Sequence, residues 1–128
     1  MPHVVIEEAL DLGLACQGIK VAAVRNGSEI LKVVEVYLSL SGHTALVDCV
    51  VVEEGRSKSF FVQLSRKDRQ ITVRLLPATD PDKTNGVKRL MALIATQLQA
   101  ASAGSQFGKT NLQDFLPSNG SGSLAFSK

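Results

Sequence analysis

Between Ile19 and Leu76 apolar side chains recur at every second position in runs rich in Val, Ile and Phe, and four short polar breaks divide the runs. The breaks carry hairpin chemistry: Asn26-Gly27, Ser41-Gly42, Gly55-Arg56 and the stretch Arg66 to Arg69. Four such turns predict five strands in an antiparallel meander. Residues 28 to 38 also resemble a capped helix, but Val33, Val34 and Val36 are stiff at χ1 and favour a strand. Ahead of the meander, Glu7 to Cys16 sets acids before good helix formers and stops at Gly18, predicting a short N-terminal helix interrupted by Gly13. Behind it, Val87, Leu90, Met91, Ile94, Leu98 and Ala101 lie at helical spacing and predict a longer helix that Gly104 ends. Residues 105–128 are rich in Gly, Ser and Asn and hold no period, so they are expected to form a mobile tail. The fold class read from this pattern is α+β: a five-stranded antiparallel meander with two helices, one domain over residues 1–104 and a tail over 105–128.

The turns also predict a register. Two-residue loops at Ser41-Gly42 and Gly55-Arg56 and a four-residue loop at Arg66 to Arg69 place Val36 opposite Val47 and Val34 opposite Cys49. They also set Val47 against Leu64, Cys49 against Val62, Val51 against Phe60, and Val62 against Val73. One face is then apolar across four strands, and the longer helix is expected to cover it. On the other face a central row runs Glu35, Asp48, Gln63, Thr72, flanked by Val33, Val50, Phe61 and Arg74 and by Tyr37, Leu46, Ser65 and Gln70.

That second face is too apolar for a solvated surface and too polar for a core. Two carboxylates directly opposite one another are unfavourable unless a proton, a cation or a basic side chain resolves the repulsion. Three readings follow. The preferred one is an interaction surface, in which Tyr37, Leu46, Val50 and Phe61 bury against a second copy or a protein partner and Arg74 meets the acids of a two-fold mate. The second is a ligand or catalytic pocket with Asp48 as base, Glu35 as its partner and Gln63 orienting a polar group. In the third the acids are simply solvated. One long and one short helix cannot cover a sheet apolar on both sides, and this shortage favours a non-catalytic assembly module, a homodimer or a stable partner complex.

Composition narrows the choice. The 128 residues are 45% hydrophobic and 20% charged but only 5% aromatic, without Trp, which implies one domain with an aliphatic core. The net charge of +2 divides unevenly: residues 1–55 carry 3 basic and 8 acidic groups, and residues 56–128 carry 11 and 4. Arg56, Lys58, Arg66, Lys67, Arg69 and Arg74 surround Phe60 and Phe61, so binding of RNA or single-stranded DNA through this basic hairpin is a lesser alternative. Hairpin ends are, however, where solvated Arg and Lys ordinarily sit. Cys16 and Cys49 lie in apolar runs behind a start unlike a signal peptide, and no apolar run is long enough to span a membrane. A cytoplasmic protein with reduced thiols and no membrane contact is expected. His3, His43, Cys16 and Cys49 lack ligand spacing, so neither metal nor cofactor is expected, and no nucleophile, base and acid can be assembled from neighbouring positions.

The segment Ala103 to Thr110, AGSQFGKT, fits a loose phosphate-loop pattern. It follows a helix instead of a strand, the reverse of what a phosphate loop requires, so nucleotide binding is not expected. Overlapping it, Lys109 to Leu116 resembles a sliding-clamp peptide of the form Q-x-x-h-x-x-a-a, with Leu112 and Phe115 at its anchor positions. Lys109 replaces the Gln and Leu116 the second aromatic. More generally, Leu112, Phe115 and Leu116 are read as anchors for a groove, on a partner or on this same domain.

Overall fold

The computed structural model describes residues 2–79 and 81–117. The elements run β1 (His3–Glu7), α1 (Leu12–Cys16), β2 (Ala23–Asn26), β3 (Glu29–Leu38), β4 (Thr44–Glu53), β5 (Arg56–Lys67), β6 (Gln70–Leu75), α2 (Asn85–Ala100) and β7 (Gln106–Thr110), followed by a 3-10 turn at Gln113–Phe115. The strands pair antiparallel in one sheet of order β2-β3-β4-β5-β6-β1-β7, which curls into a half-barrel. The class is α+β and mostly β.

The expectation of five strands is overturned, because β1 and β7 extend the meander past β6 to make seven. In β1, Val4 and Ile6 point inward and are fully buried against β6. Its end is set by Glu8, whose φ of 59° lies in the left-handed region and breaks the strand. The acids at 7 and 8 therefore close a strand instead of opening a helix. The helix begins only at Leu12, where the Asp11 carboxylate accepts a hydrogen bond from the Leu14 amide at 3.0 Å. Strand β7, Gln-Phe-Gly-Lys-Thr, has no alternation of its own and takes its conformation from pairing with β1. At Gly108 a Cβ would come 2.5 Å from the Glu7 carboxylate, so a larger residue there displaces that side chain. Residues 105–117, expected in the mobile tail, thus belong to the fold, and residues 118–128 lie outside the described residues.

The hairpin at Ser41-Gly42 keeps the predicted register, with Val36 opposite Val47 and Glu35 opposite Asp48. The next two hairpins differ from expectation by two residues. The β4–β5 turn is Glu54-Gly55, with φ of 53° and 76°, so Glu53 pairs with Arg56 and Val47 faces Val62 instead of Leu64. The β5–β6 turn is Asp68-Arg69, with Asp68 at φ 57°, so Val62 faces Leu75 instead of Val73. A slip of two leaves each side chain on its expected face. Two residues, Val33 and Val34, do exchange faces. The register of β3 against β4 shifts between Val33 and Glu35, a β-bulge that inserts Val34 as an extra residue. Val33 turns inward opposite Cys49 and is buried, and Val34 is exposed, the reverse of the predicted placement.

The inner face of the half-barrel holds the core. Leu31, Val47, Cys49, Phe60, Val62 and Val73 meet Val87, Leu90, Met91, Ile94 and Leu98 of α2, all buried. Ala92, Leu93 and Ala95 of α2 are buried as well, so the helix is covered on more than its predicted stripe. The 3-10 turn packs on α2, with Leu112 buried and Phe115 under the Arg89 guanidinium, 5.7 Å from the ring centre. Close approach at the C-terminal end of α2 depends on Gly18, where a Cβ would meet Ala101 Cβ at 2.6 Å and the Gln97 carbonyl at 2.7 Å.

At its N-terminal end α2 is tied to the sheet by one carboxylate. Glu53, the last residue of β4, accepts from Thr84 Oγ1 at 2.5 Å and from the Gly86 amide at 3.0 Å, with Lys58 Nζ 3.6 Å away. Thr84 in turn caps the helix by accepting from the Val87 amide at 3.3 Å. The carboxylate sits where the helix dipole favours negative charge and satisfies donors that the helix itself leaves free. Burial raises the Glu53 pKa, but the hydrogen bonds from Thr84 and Gly86 and the charge of Lys58 outweigh it, and the net pKa lies below the ordinary 4.5. A folded-state pKa below the unfolded one contributes stability at neutral pH that is lost as pH falls through 4.5 and below. Glu53→Gln is expected to lower the unfolding free energy at pH 7 by about 2 kcal/mol and to lose less stability than the wild type between pH 7 and pH 3. Gly86→Ala, whose Cβ would lie 2.6 Å from Glu53 Cδ, is expected to do at least as much harm. Urea midpoints across that pH range test both, and an unchanged pH dependence in Glu53→Gln would contradict the assignment.

Candidate functional site

Both helices lie on the inner side of the half-barrel, and among the described residues no helix covers the outer side. Outward-facing residues of β3 to β6 therefore form an open surface. Its rows follow the observed pairing. Glu35 lies opposite Asp48, and Asp48 opposite Phe61; Tyr37 lies opposite Leu46, then Gln63, then Arg74, then His3 of β1. Lys32, Val50 and Ser59 form the neighbouring row, and Ile30, Val52 and Ser57 the next.

The structure brings the predicted residues to one face but rearranges them. Glu35, Tyr37, Leu46 and Asp48 hold their predicted neighbours, because the Ser41-Gly42 hairpin fixes that part of the register. Gln63 does not lie beside Asp48; the two-residue slip puts Phe61 there and moves Gln63 next to Leu46. Arg74 is exposed and lies three strands from Glu35, between Gln63 and His3. Leu46, Asp48, Val50, Phe61 and Gln63 are half-buried by their neighbours, and Tyr37 is 54% exposed. Val34, Leu38 and Leu40 are exposed too and were not among the predicted surface residues. Two adjacent valines hide which one is the bulge, and only the rest of the ladder decides it.

The Glu35 carboxylate is engaged by its own strand. Glu35 Oε1 accepts from the Val36 backbone amide at 2.9 Å, so this side chain folds back along its own strand. A cleft of about 620 Å³ lies elsewhere, lined by Ser28, Glu29, Glu53, Arg56, Lys58 and Thr84 among others. A smaller one of about 170 Å³ is lined by Pro2, Lys83, Lys88, Asn111 and Leu112. Neither includes Glu35 or Asp48. In the larger cleft Glu53 is engaged with α2, and Glu29 faces Arg89 Nε at 3.5 Å.

The remaining candidates are placed as follows. Among the described residues no three His, Cys, Asp or Glu side chains converge as a metal site. Cys16 and Cys49 are free thiols; burial pushes Cys16 up to about 11, and burial with the Asp48 charge pushes Cys49 higher still. Both are poor nucleophiles at neutral pH. The basic residues of 56–74 are divided between the two ends of β5: Arg56 and Lys58 at one, Arg66, Lys67 and Arg69 at the other. Lys58 pairs with Glu53, Arg69 with Glu8 at 2.7 Å, and Arg66 donates to the Asp68 carbonyl, so no continuous basic stripe flanks the half-buried Phe61. In the phosphate-loop match, Lys109 and Thr110 end a β-strand, and the Thr110 hydroxyl donates to the His3 carbonyl at 2.7 Å. Leu112, Phe115 and Leu116 pack on this domain's own core. No helix among the described residues is long and apolar enough to cross a membrane. Compared with protein-family models, curated proteins and solved structures, the chain finds no match.

Removing one of the opposed charges tests the electrostatics of this face. Glu35→Gln keeps an acceptor for the Val36 amide and removes the repulsion with Asp48. It is expected to raise the unfolding free energy by about 0.5 kcal/mol at low salt, and by less at high salt. Urea unfolding of the dilute protein measures it, and a clear loss of stability would show that a cation or basic group pairs the acids.

Proposed function

We propose that this protein is a non-catalytic interaction module that assembles with a second copy of itself through the exposed sheet surface around β3 and β4. The observation that carries the reading is the uncovered outer side of the sheet, where Tyr37, Leu46, Val50 and Phe61 stand with no helix over them among the described residues. Apolar area of this kind is what association removes from water. The inner face needs no partner, because α2 fills it. Glu35, Asp48, Gln63 and Arg74 are interspersed with the apolar positions and offer polar partners within the same surface. Two free thiols, one buried and one half-buried, suit a reducing compartment such as the cytoplasm.

The experiment is the solution mass of the full chain by light scattering over a wide concentration range. The wild type is expected at twice the chain mass. Tyr37→Lys is expected to raise the dissociation constant roughly ten-fold or more, the equivalent of about 1.4 kcal/mol. A monomer at every concentration, or a dimer indifferent to Tyr37→Lys, overturns the reading.

A further inference from the structure

Strand β2 pairs only with Glu29 to Lys32, so among the described residues the second half of β3 has β4 on one side and no strand on the other. The hydrogen bond from the Ser39 amide to the Thr44 carbonyl, 2.8 Å, sets the alternation of this ladder. Glu35, Tyr37 and Ser39 direct their backbone groups at β4, and Val36 and Leu38 direct theirs at the open side. At Val36 the neighbouring Glu35 carboxylate occupies the amide, as a side chain does where a strand partner is missing.

The other exposed edges are guarded. Strand β2 is four residues long and carries Arg25, and β7 is five residues long with a register shift, Gly108 and Lys109. The free part of β3 with the two residues that follow it, Val34-Glu35-Val36-Tyr37-Leu38-Ser39-Leu40, has one charge and neither Lys nor Pro. Four large hydrophobic side chains that the fold leaves exposed lie within it: Val34, Tyr37, Leu38 and Leu40, the last wholly in solvent. The other three flank it. Leu10 and Leu14 belong to the α1 region, whose Gly13 lies against Leu38, and Val21 precedes Ala22, whose carbonyl accepts from the Val33 amide.

We infer that the free edge of β3 pairs antiparallel with the same edge of a second copy, about a two-fold axis at Tyr37, joining two half-barrels into one continuous sheet. The inference rests on the self-assembly reading but places the contact at the β3 edge, where Tyr37 is covered and Leu46, Val50 and Phe61 stay outside it. The register is self-complementary. With Tyr37 opposite Tyr37, Val36 meets Leu38 of the second copy and both outward-directed amide pairs are satisfied. Val34 then approaches Leu40, in the turn that follows β3 of the second copy, beside Val21. The axis falls on a non-hydrogen-bonded pair, where side chains are closest and aromatic pairs stabilise most. Glu35 lies opposite Ser39, roughly 13 Å along the strand from its own copy, so like charges stay apart. A register centred on Val36 instead brings the two Glu35 side chains to neighbouring positions.

Cross-linking and charge insertion test this on the full chain. In a Cys16→Ser background, Tyr37→Cys is expected to form a covalent dimer under mild oxidation, because Cα atoms of such a pair lie about 4.5 Å apart. Leu46→Cys, one strand farther from the axis, is expected to stay uncross-linked. Leu40→Lys, at a fully solvated position, is expected to raise the dissociation constant roughly ten-fold or more with an unchanged circular dichroism spectrum, and Leu46→Lys to leave it within about two-fold. Failure of Tyr37→Cys to cross-link overturns the edge pairing. If Leu46→Lys dissociates the dimer and Leu40→Lys does not, the contact is face to face and only the edge is overturned. A wild type that is monomeric throughout overturns both readings.

Discussion

The concave side of a seven-stranded half-barrel is filled mainly from one long helix, and much of this structure follows from how α2 does so. Strands β1 and β3 to β6 contribute inward side chains at about every second position, mostly Val, Leu and Ile, and α2 meets them with a wide buried surface. Interiors tolerate few voids, so the helix must be fixed along its length as well as in depth. Glu53 fixes the N-terminal end through Thr84 and Gly86, and Gly18 lets α1 close on the C-terminal end. The chain after α2 returns as β7 and the 3-10 turn, so the helix is covered on a second side by its own continuation. Among the described residues the apolar demand inside is met, and one buried polar atom, Arg89 Nη1, is left without a hydrogen-bond partner.

The unfilled demand lies outside. A curled sheet that does not close must end in edges, and edges expose backbone donors and acceptors. This chain shortens and charges two of them and, among the described residues, leaves the second half of β3, with its bulge and single charge, mostly apolar and without a strand neighbour. The same strand carries the bulge that turns Val34 outward, so the local geometry and the exposed side chains share one cause. Association is the physical outlet proposed for that surface, and no chemistry of bond making is needed to account for it.

Much of this was legible in the sequence because side-chain parity survives errors in loop length. Taking Gly55-Arg56 as the turn, where the turn is Glu54-Gly55, displaced β5 by two residues and left Val62, Leu64 and Phe60 on the inner face. It did move Gln63 away from Asp48, and so dissolved the most specific part of the predicted acid site. Strand β1 was hidden because Glu7 and Glu8 read equally well as a helix start and as a strand end, and only the left-handed backbone at Glu8 distinguishes them. Strand β7 was hidden because Gln106–Thr110 has no pattern of its own and is held by β1. The exposed edge depends on which residues of β3 lack a neighbour, a property of topology that no local pattern carries.

Amide hydrogen exchange of the full chain, followed residue by residue across a dilution series, tests the central claim most directly. If the β3 edge pairs with a second copy, the Leu38 amide is protected at high concentration and loses protection on dilution, while the Tyr37 amide, bonded to β4, changes little. Rapid exchange of Leu38 at every concentration would contradict the account, whatever the mass of the protein in solution.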